Sequence, residues 1–196
     1  MLRVALRVVL LGCVVPAVAL AQPGAEPTAG GQPAAPAASP AAARHAGITV
    51  EANAGFGWIR SSPTRAASFT SGVSLAAAVG VGAWLTPQLA LTGRFAGVSN
   101  FADGERLGAY FVGPSVQYWL DHRWWLGAGA GLGVLASSTS DGDVGFAFDV
   151  RIGRVIATRE AHLYDVSLEI TPARFSATGD SATLTGVALL FGFQYL

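Results

Sequence analysis

Residues 48–58 read Ile-Thr-Val-Glu-Ala-Asn-Ala-Gly-Phe-Gly-Trp, and every second residue in this stretch is apolar. Ile48, Phe56 and Trp58 therefore share one side of an extended chain, because successive side chains of a strand point to opposite faces. The residues between the apolar ones, Glu51 among them, are polar or small. A two-residue period of this kind predicts a β-strand with one apolar face.

The same period returns in seven further segments along the chain. Most of these stripes are long enough for the roughly 9–11 residues that a tilted membrane strand needs. An even number of strands suits a closed barrel whose two ends lie on one side. The sequence therefore predicts an all-β fold, an eight-stranded antiparallel up-and-down transmembrane β-barrel. The seven segments are residues 73–83, 89–95, 110–120, 124–134, 144–152, 164–170 and 187–195.

The connections between these segments alternate in length. Three are short, at residues 86–88, 121–123 and 158–162. Four are longer and rich in polar residues and glycine, at residues 61–70, 99–106, 136–143 and 174–182. Short turns on one side and long loops on the other are typical of outer-membrane barrels. This pattern predicts that the short turns and both termini are periplasmic and that the long loops face outward.

The charged residues of the strands fall on the face opposite the apolar stripes, which is the face that the barrel turns inward. Buried charges are tolerable only when they are paired and hydrogen-bonded, so this set predicts a salt-bridged plug. A gated ion path is the alternative. The interior of an eight-stranded barrel is only just wide enough for side chains, and the glycines of 127–133 leave space there for large arginines. The predicted lumen network consists of Glu51, Arg94, Asp149, Arg151, Asp165 and Glu169.

Aromatic residues cluster near the strand ends, where rings with a polar tip favour the membrane interface. Phe175 is placed near the loop side with these aromatics. Strict alternation points Trp84, Trp119 and Trp125 inward, which predicts either a bulge or a periplasmic plug of rings. The interface aromatics predicted from the outward stripes are Trp58, Tyr110, Trp124, Tyr164 and Tyr195.

The chain divides into three segments. Residues 1–21 read as a signal peptide, with a basic start, an apolar run and an Ala-Leu-Ala cleavage site. Residues 22–45 are almost entirely Ala, Pro, Gly, Ser and Gln, a composition that predicts a disordered periplasmic tether. Residues 46–196 form the predicted barrel. Leu-Leu-Gly before Cys13 resembles a lipobox, so acylation of Cys13 in a lipoprotein is the alternative interpretation of the leader.

Composition limits the classes of function that fit. Hydrophobic residues make up 52% of the chain and charged residues only 12%, whereas about a quarter of a soluble domain is charged. The net charge is +0 and there is no basic patch, so nucleic acid is not an expected partner. The one cysteine lies in the leader, so the mature chain has no thiol for a disulfide or a metal.

The eight stripes, the turn at residues 84–89 and the closing segment 189–196 resemble the small outer-membrane β-barrel domain superfamily, which includes the membrane domain of outer-membrane protein A. The resemblance covers about residues 46–196. It implies an outer-membrane location and a terminal aromatic residue recognised by the barrel assembly machinery. Here Tyr195 is followed by Leu196 at the end of the chain.

No catalytic, cofactor-binding or metal-binding residues are predicted. The three histidines are His45 in the tether and His122 and His162 beside short turns, away from outer-leaflet lipid. The expected function is therefore a non-enzymatic, plugged outer-membrane barrel with a structural or surface-interaction role, in contact with outer-membrane lipid and lipopolysaccharide. The alternatives are a lipid-modifying enzyme and a narrow small-solute pore. A soluble lipocalin-like carrier would need a polar exterior, which the stripes oppose.

Overall fold

The computed structural model describes residues 47–63, 69–70, 72–102, 105–138, 142–177 and 180–195. The predicted signal peptide, the predicted tether and Cys13 lie outside the described residues. None of the described residues forms a helix long and apolar enough to cross a membrane. The strands are β1 (Ile48–Pro63), β2 (Phe69–Thr70), β3 (Ser74–Thr86), β4 (Leu89–Ala102), β5 (Glu105–Trp119), β6 (Trp124–Ser137), β7 (Asp143–Arg159), β8 (His162–Ala177) and β9 (Asp180–Tyr195).

Eight of these strands form a closed antiparallel barrel, as the sequence predicts. Each long strand pairs with the next in chain order, and β9 pairs back to β1 from Val50↔Tyr195 to Pro63↔Ala182. Closure gives the backbone groups of both end strands a partner, which a sheet in hydrocarbon requires. The two-residue β2 pairs with β1 at Arg60 and Ser61, outside the barrel ladder.

Side chains alternate between the two surfaces of the wall along every long strand. On β3, for example, residues 74–80 are alternately buried and exposed. Phe56, Phe148 and Phe191 on the outer surface are 55%, 50% and 58% exposed. Large apolar side chains left this open to the surroundings form an outer band suited to lipid contact. The inward residues make up the core.

The strands are longer than the sequence pattern predicts on the loop side. β4 and β5 pair up to Ala102↔Glu105, and β8 and β9 pair up to Ala177↔Asp180. The predicted loops at 99–106 and 174–182 were therefore wrong over most of their length. Antiparallel ladders form between backbone groups, so they continue through polar residues once a register is set.

The connections at the turn end are also tighter than the sequence predicts. The connection predicted at 158–162 is reduced to Glu160 and Ala161, with Glu160 in the left-handed region at φ 49°. At 120–123, Asp121 Oδ1 accepts hydrogen bonds from the backbone N–H groups of Arg123 (2.6 Å) and Trp124 (2.7 Å). These two bonds hold the pKa of the exposed Asp121 carboxyl below its usual value.

Two prolines interrupt the ladders inside the barrel wall. The β5–β6 ladder has a gap beside Pro114, between Val112↔Leu132 and Ser115↔Gly129. The β7–β8 ladder has a gap beside Pro172, between Ala147↔Ala173 and Val150↔Ile170. Proline has no backbone N–H to donate to a neighbouring strand, which accounts for both gaps.

Candidate functional site in the barrel interior

Arg94 lies at the centre of a charged cluster inside the barrel. Its Nε is 2.8 Å from Glu51 Oε1, its Nη1 is 3.3 Å from Asp149 Oδ2, and its Nη2 is 2.6 Å from Glu169 Oε2. The guanidinium thus uses a different nitrogen for each of three carboxylates, which come from β1, β7 and β8. Because Arg94 itself is on β4, the three ion pairs connect both halves of the barrel across its interior.

Arg151 on β7 completes the cluster. Its Nη1 is 3.0 Å from both oxygens of Glu51, and its Nη2 donates a 2.9 Å hydrogen bond to Ser115 Oγ. Its Nε is 3.3 Å from Asp149 Oδ2, and its guanidinium lies 5.4 Å from the centre of the Trp125 ring. Charge-assisted bonds of this kind are the strong ones in a dry interior.

Glycines on neighbouring strands make room for these side chains. Gly127 is the register partner of Arg151, and a Cβ at this position would lie 2.5 Å from Arg151 Nε. Gly80 is the partner of Glu51, and a Cβ there would lie 2.6 Å from Glu51 Oε1. This is the space that the sequence predicts on the inner face of 127–133. The glycines therefore set where the charged side chains fit.

The structure brings five of the six predicted lumen residues together and leaves Asp165 outside the ion pairs. Asp165 is 3% exposed, and among the described residues no arginine nitrogen lies within 4.0 Å of its carboxylate. The six side chains carry two guanidiniums and four carboxylates. The interior therefore has more buried acidic than basic groups.

A layer of uncharged polar side chains lies next to the charged cluster on its turn side, and the sequence reasoning did not single it out. Gln117 and Gln194 donate to each other's side-chain oxygens at 3.3 and 3.2 Å, and Gln194 also donates to Thr49 Oγ1 at 2.9 Å. All three residues lie on the inward parity of their strands. Strand alternation is the sequence feature that could have identified these three residues, because an amide on the inner face needs a hydrogen-bond partner there.

Aromatic rings close the interior at the turn end. Trp84, Trp119 and Trp125 are 8%, 2% and 2% exposed and pack with Ala90 and Leu163. The centres of the Trp84 and Trp119 rings are 6.1 Å apart. Of the two sequence alternatives, the structure has the plug of rings, and it also has a register shift between Trp84 and Thr86.

The loop half of the interior is filled by apolar side chains, which the sequence analysis did not predict. Ile59, Phe111 and Leu190 are 0%, 0% and 1% exposed in this cluster. Phe175 belongs to it at 4% exposed, so its placement with the interface aromatics was wrong. Phe175 lies an even number of positions from Ala173 and Glu169 on β8, so its side chain points inward as theirs do. From the loop end to the turn end, the interior therefore consists of an apolar layer, the charged cluster, the amide layer and the aromatic rings.

The five predicted interface aromatics lie on the outer surface. Trp58, Trp124, Tyr164 and Tyr195 are 43%, 39%, 40% and 43% exposed. Tyr110 is half-buried because it stacks on Phe95 at 5.7 Å, and its hydroxyl contacts Ser99 and Arg106 at 2.7 Å each.

A closed antiparallel eight-stranded barrel with an apolar outer band and a packed interior is the architecture of small transmembrane β-barrels. By fold, the chain is a closed eight-stranded antiparallel β-barrel of this architecture. Within the described residues, no group of three or more His, Cys, Asp or Glu side chains is placed to hold a metal ion.

Comparison with solved structures identifies the same fold. Neisserial surface protein A superimposes with a TM-score of 0.56 at 15% identity, over 76% of this chain and 96% of that one. Ail, the attachment invasion locus protein of Yersinia pestis, superimposes with a TM-score of 0.50 at 12% identity, over 76% of this chain and 99% of that one. No family model matches the sequence, and no curated protein matches it.

Proposed function

We propose that this chain is a non-enzymatic outer-membrane protein whose closed lumen keeps it from conducting and whose loop side faces outward. Both termini and the short turns are then periplasmic, and the protein has a structural or surface-interaction role in the cell envelope. The observation that carries this proposal is the three-carboxylate cage around Arg94, which spans the lumen at mid-barrel.

The layers on either side of that cage support the same function. Phe111 and Leu190 fill the loop half, and Trp119 and Trp125 fill the turn end. An eight-stranded barrel has little interior volume beyond its own side chains, so three layers of buried side chains among the described residues leave little space for a solute. What remains available to a partner is the loop side and the outer wall.

The names of two structural neighbours fit a surface role. One is called a surface protein, and the other an attachment invasion locus protein. The partners proposed here are the lipid and lipopolysaccharide around the barrel and, during insertion, the barrel assembly machinery reading the aromatic end of β9 at Tyr195. Nucleic acid is not a proposed partner.

The positions of the histidines weigh against a lipid-modifying enzyme. His122 is in the turn between β5 and β6, and His162 begins β8 at the same end. The His162 ring packs against Phe193 at 5.2 Å and Tyr195 at 5.4 Å. A general base acting on outer-leaflet lipid would be needed at the opposite end of the barrel.

A narrow pore is tested by electrical recording. We expect the purified protein, inserted into planar bilayers, to give no discrete current steps at neutral pH, because Arg94 and its carboxylates fill the cross-section. A sample of the same preparation should migrate differently in detergent gels before and after boiling, which shows that folded barrels were present. Reproducible single-channel steps from such a folded sample would contradict the plugged lumen.

A further inference from the structure

The outer wall has a groove at the β7–β8 seam, on the loop side of the apolar band. Its volume is about 470 Å³, and it is lined by Phe146, Phe148, Pro172, Arg174, Ser176 and Thr183, among others. The groove coincides with the ladder gap beside Pro172, so the missing backbone bonds explain why the wall opens there. Phe146 and Phe148 meet edge to face at 4.8 Å and form its apolar side.

Arg174 and Thr183 belong to the lining of this groove, and strand register extends them into a polar group of side chains across β8, β9 and β1. Arg174 is paired with Thr183 on β9, and Thr183 is paired with Ser62 on β1. One row closer to the membrane centre, Thr185 is paired with Arg60. All five side chains have the outward parity of their strands. Two guanidiniums therefore flank two threonine hydroxyls on the same face of the wall.

The next row toward the turn side is apolar throughout. Ile170 pairs with Val187, Val187 pairs with Trp58, and Val150 pairs with Ile170 across the seam. Ile170 and Trp58 are 41% and 43% exposed on the outer surface. Within a few residues, the wall thus changes from cationic and hydroxyl-bearing to fully apolar. This change matches an amphiphile with an anionic head and hydrocarbon tails.

The two arginines are available for such a head. Arg60 and Arg174 are exposed, and among the side chains that the structure describes, neither has a carboxylate within 4.0 Å. By contrast, Arg106, another outward arginine on the loop side, is engaged by Tyr110 at 2.7 Å and by the Phe101 ring at 5.6 Å. The planar guanidinium group of arginine, with its paired N–H donors, matches phosphate oxygens in geometry and charge.

A second groove on the outer wall has no arginine and serves as a comparison for the groove beside Pro172. It lies beside Pro114 and is lined by Leu91, Val116, Ala128 and Phe148 among others, with no charged residue in its lining. It can accommodate an acyl chain but offers nothing to a phosphate. The groove beside Pro172 combines both features.

We propose that the groove beside Pro172, with Arg174 in its lining and Arg60 on the adjoining wall, is a binding site for the phosphorylated headgroup of an outer-leaflet lipid of the lipid A type. The phosphates contact the two guanidiniums and the hydroxyls of Thr183 and Thr185, and an acyl chain lies along Phe146 and Phe148. The assignment to the outer leaflet rests on the proposed function, in which the loop side faces outward.

The test uses the protein folded in detergent micelles and titrated with diphosphoryl lipid A, with bound lipid counted by native mass spectrometry. We expect one lipid A molecule to be retained per barrel at low lipid concentration. Each of the substitutions Arg60→Gln and Arg174→Gln should weaken this binding about fivefold, because a basic side chain near an anionic lipid surface contributes roughly 1 kcal/mol. The double variant should weaken it by about 25-fold.

Matched controls separate this site from general attraction to charge. Arg159→Gln removes an exposed arginine at the turn end of β7 and should leave lipid A binding unchanged. Phosphatidylglycerol should bind more weakly than lipid A because it offers only one phosphate to the two arginines. Unchanged affinity in a double variant that still shows the folded gel shift, or equal binding of phosphatidylglycerol, would overturn the proposal.

The proposed function fails by a different measurement. Lipid retention in micelles does not depend on which way the barrel faces in the cell. Orientation is read from labelling of a loop-side cysteine on intact cells with a membrane-impermeant reagent. If labelling places the loop side in the periplasm while lipid A still binds in micelles, the binding site is retained and the proposed outward orientation is wrong.

Discussion

Arg94→Met should destabilise the barrel by about 3–5 kcal/mol, because it removes the only cation that contacts Glu51, Asp149 and Glu169 together among the described residues. Methionine fills much of the same volume, so lost packing contributes little. Three carboxylates would then share Arg151 alone, in an interior that water does not reach. The measurement is the urea midpoint for unfolding in lipid vesicles, followed by tryptophan fluorescence.

Asp165→Asn is the matched control for that experiment. It also changes a buried charged group of the lumen, but one that forms no ion pair with a described arginine. Removing a buried, unpaired charge should leave stability unchanged or raise it. If Asp165→Asn destabilises the barrel as much as Arg94→Met, the ion pairs do not determine lumen stability and the role given to Arg94 is wrong.

Trp125→Ala should destabilise the barrel by a similar amount, about 3–5 kcal/mol, because it empties the turn-side plug. The Trp125 ring is 2% exposed, packs with the other buried rings, and lies 5.4 Å from the Arg151 guanidinium. The substitution therefore leaves a cavity and uncovers one side of the charged cluster. The same urea titration measures the effect.

Trp124→Ala provides the comparison at the adjacent position. Trp124 points to the outer surface and is 39% exposed, with Arg154 lying over its ring at 5.4 Å. Truncating it removes an interface contact but no core packing, so its effect should be less than half that of Trp125→Ala. Equal effects, or a larger effect at Trp124, would show that the two neighbouring rings do not face opposite sides of the wall.

The fold could be predicted because alternation along the strands is a direct consequence of backbone geometry. Ile48, Phe56 and Trp58 lie on one face in any extended chain, and an apolar outer face on a closed eight-stranded barrel suits contact with hydrocarbon. The strand ends could not be predicted in the same way. Ala102 and Ala177 end strands among polar residues. Pairing there depends on backbone hydrogen bonds, which the residue types do not indicate.

The interior could be predicted in part. Parity placed Glu51, Arg94 and Arg151 inside, but distances across a barrel depend on stagger and tilt, which the sequence does not give. The separation of Asp165 from the arginines therefore appears only in three dimensions. The apolar loop half was not predicted for a different reason: Ile59 and Phe111 point inward, whereas the pattern of the other strands predicts polar or small residues on the inner face.

The proline gaps were also beyond the sequence pattern. Pro114 falls within one of the predicted stripes and Pro172 lies just beyond another, and nothing in their immediate neighbours shows which adjoining strand loses its hydrogen bonds. Only the register reveals that Pro172 opens toward β7 and so produces the groove next to Arg174.

A transmembrane barrel places the side chains of its outer face in hydrocarbon, and spin-label accessibility measures this directly. With Cys13 replaced by serine, the chain has no other cysteine, so single labels can be placed at Val79, Val150 and Leu189, which are 53%, 53% and 45% exposed on three strands of the wall. In lipid vesicles these labels should collide readily with oxygen and rarely with a water-soluble nickel reagent. A label at Arg159 should show the reverse. Nickel accessibility at Val79, Val150 and Leu189 as high as at Arg159 would contradict the transmembrane barrel.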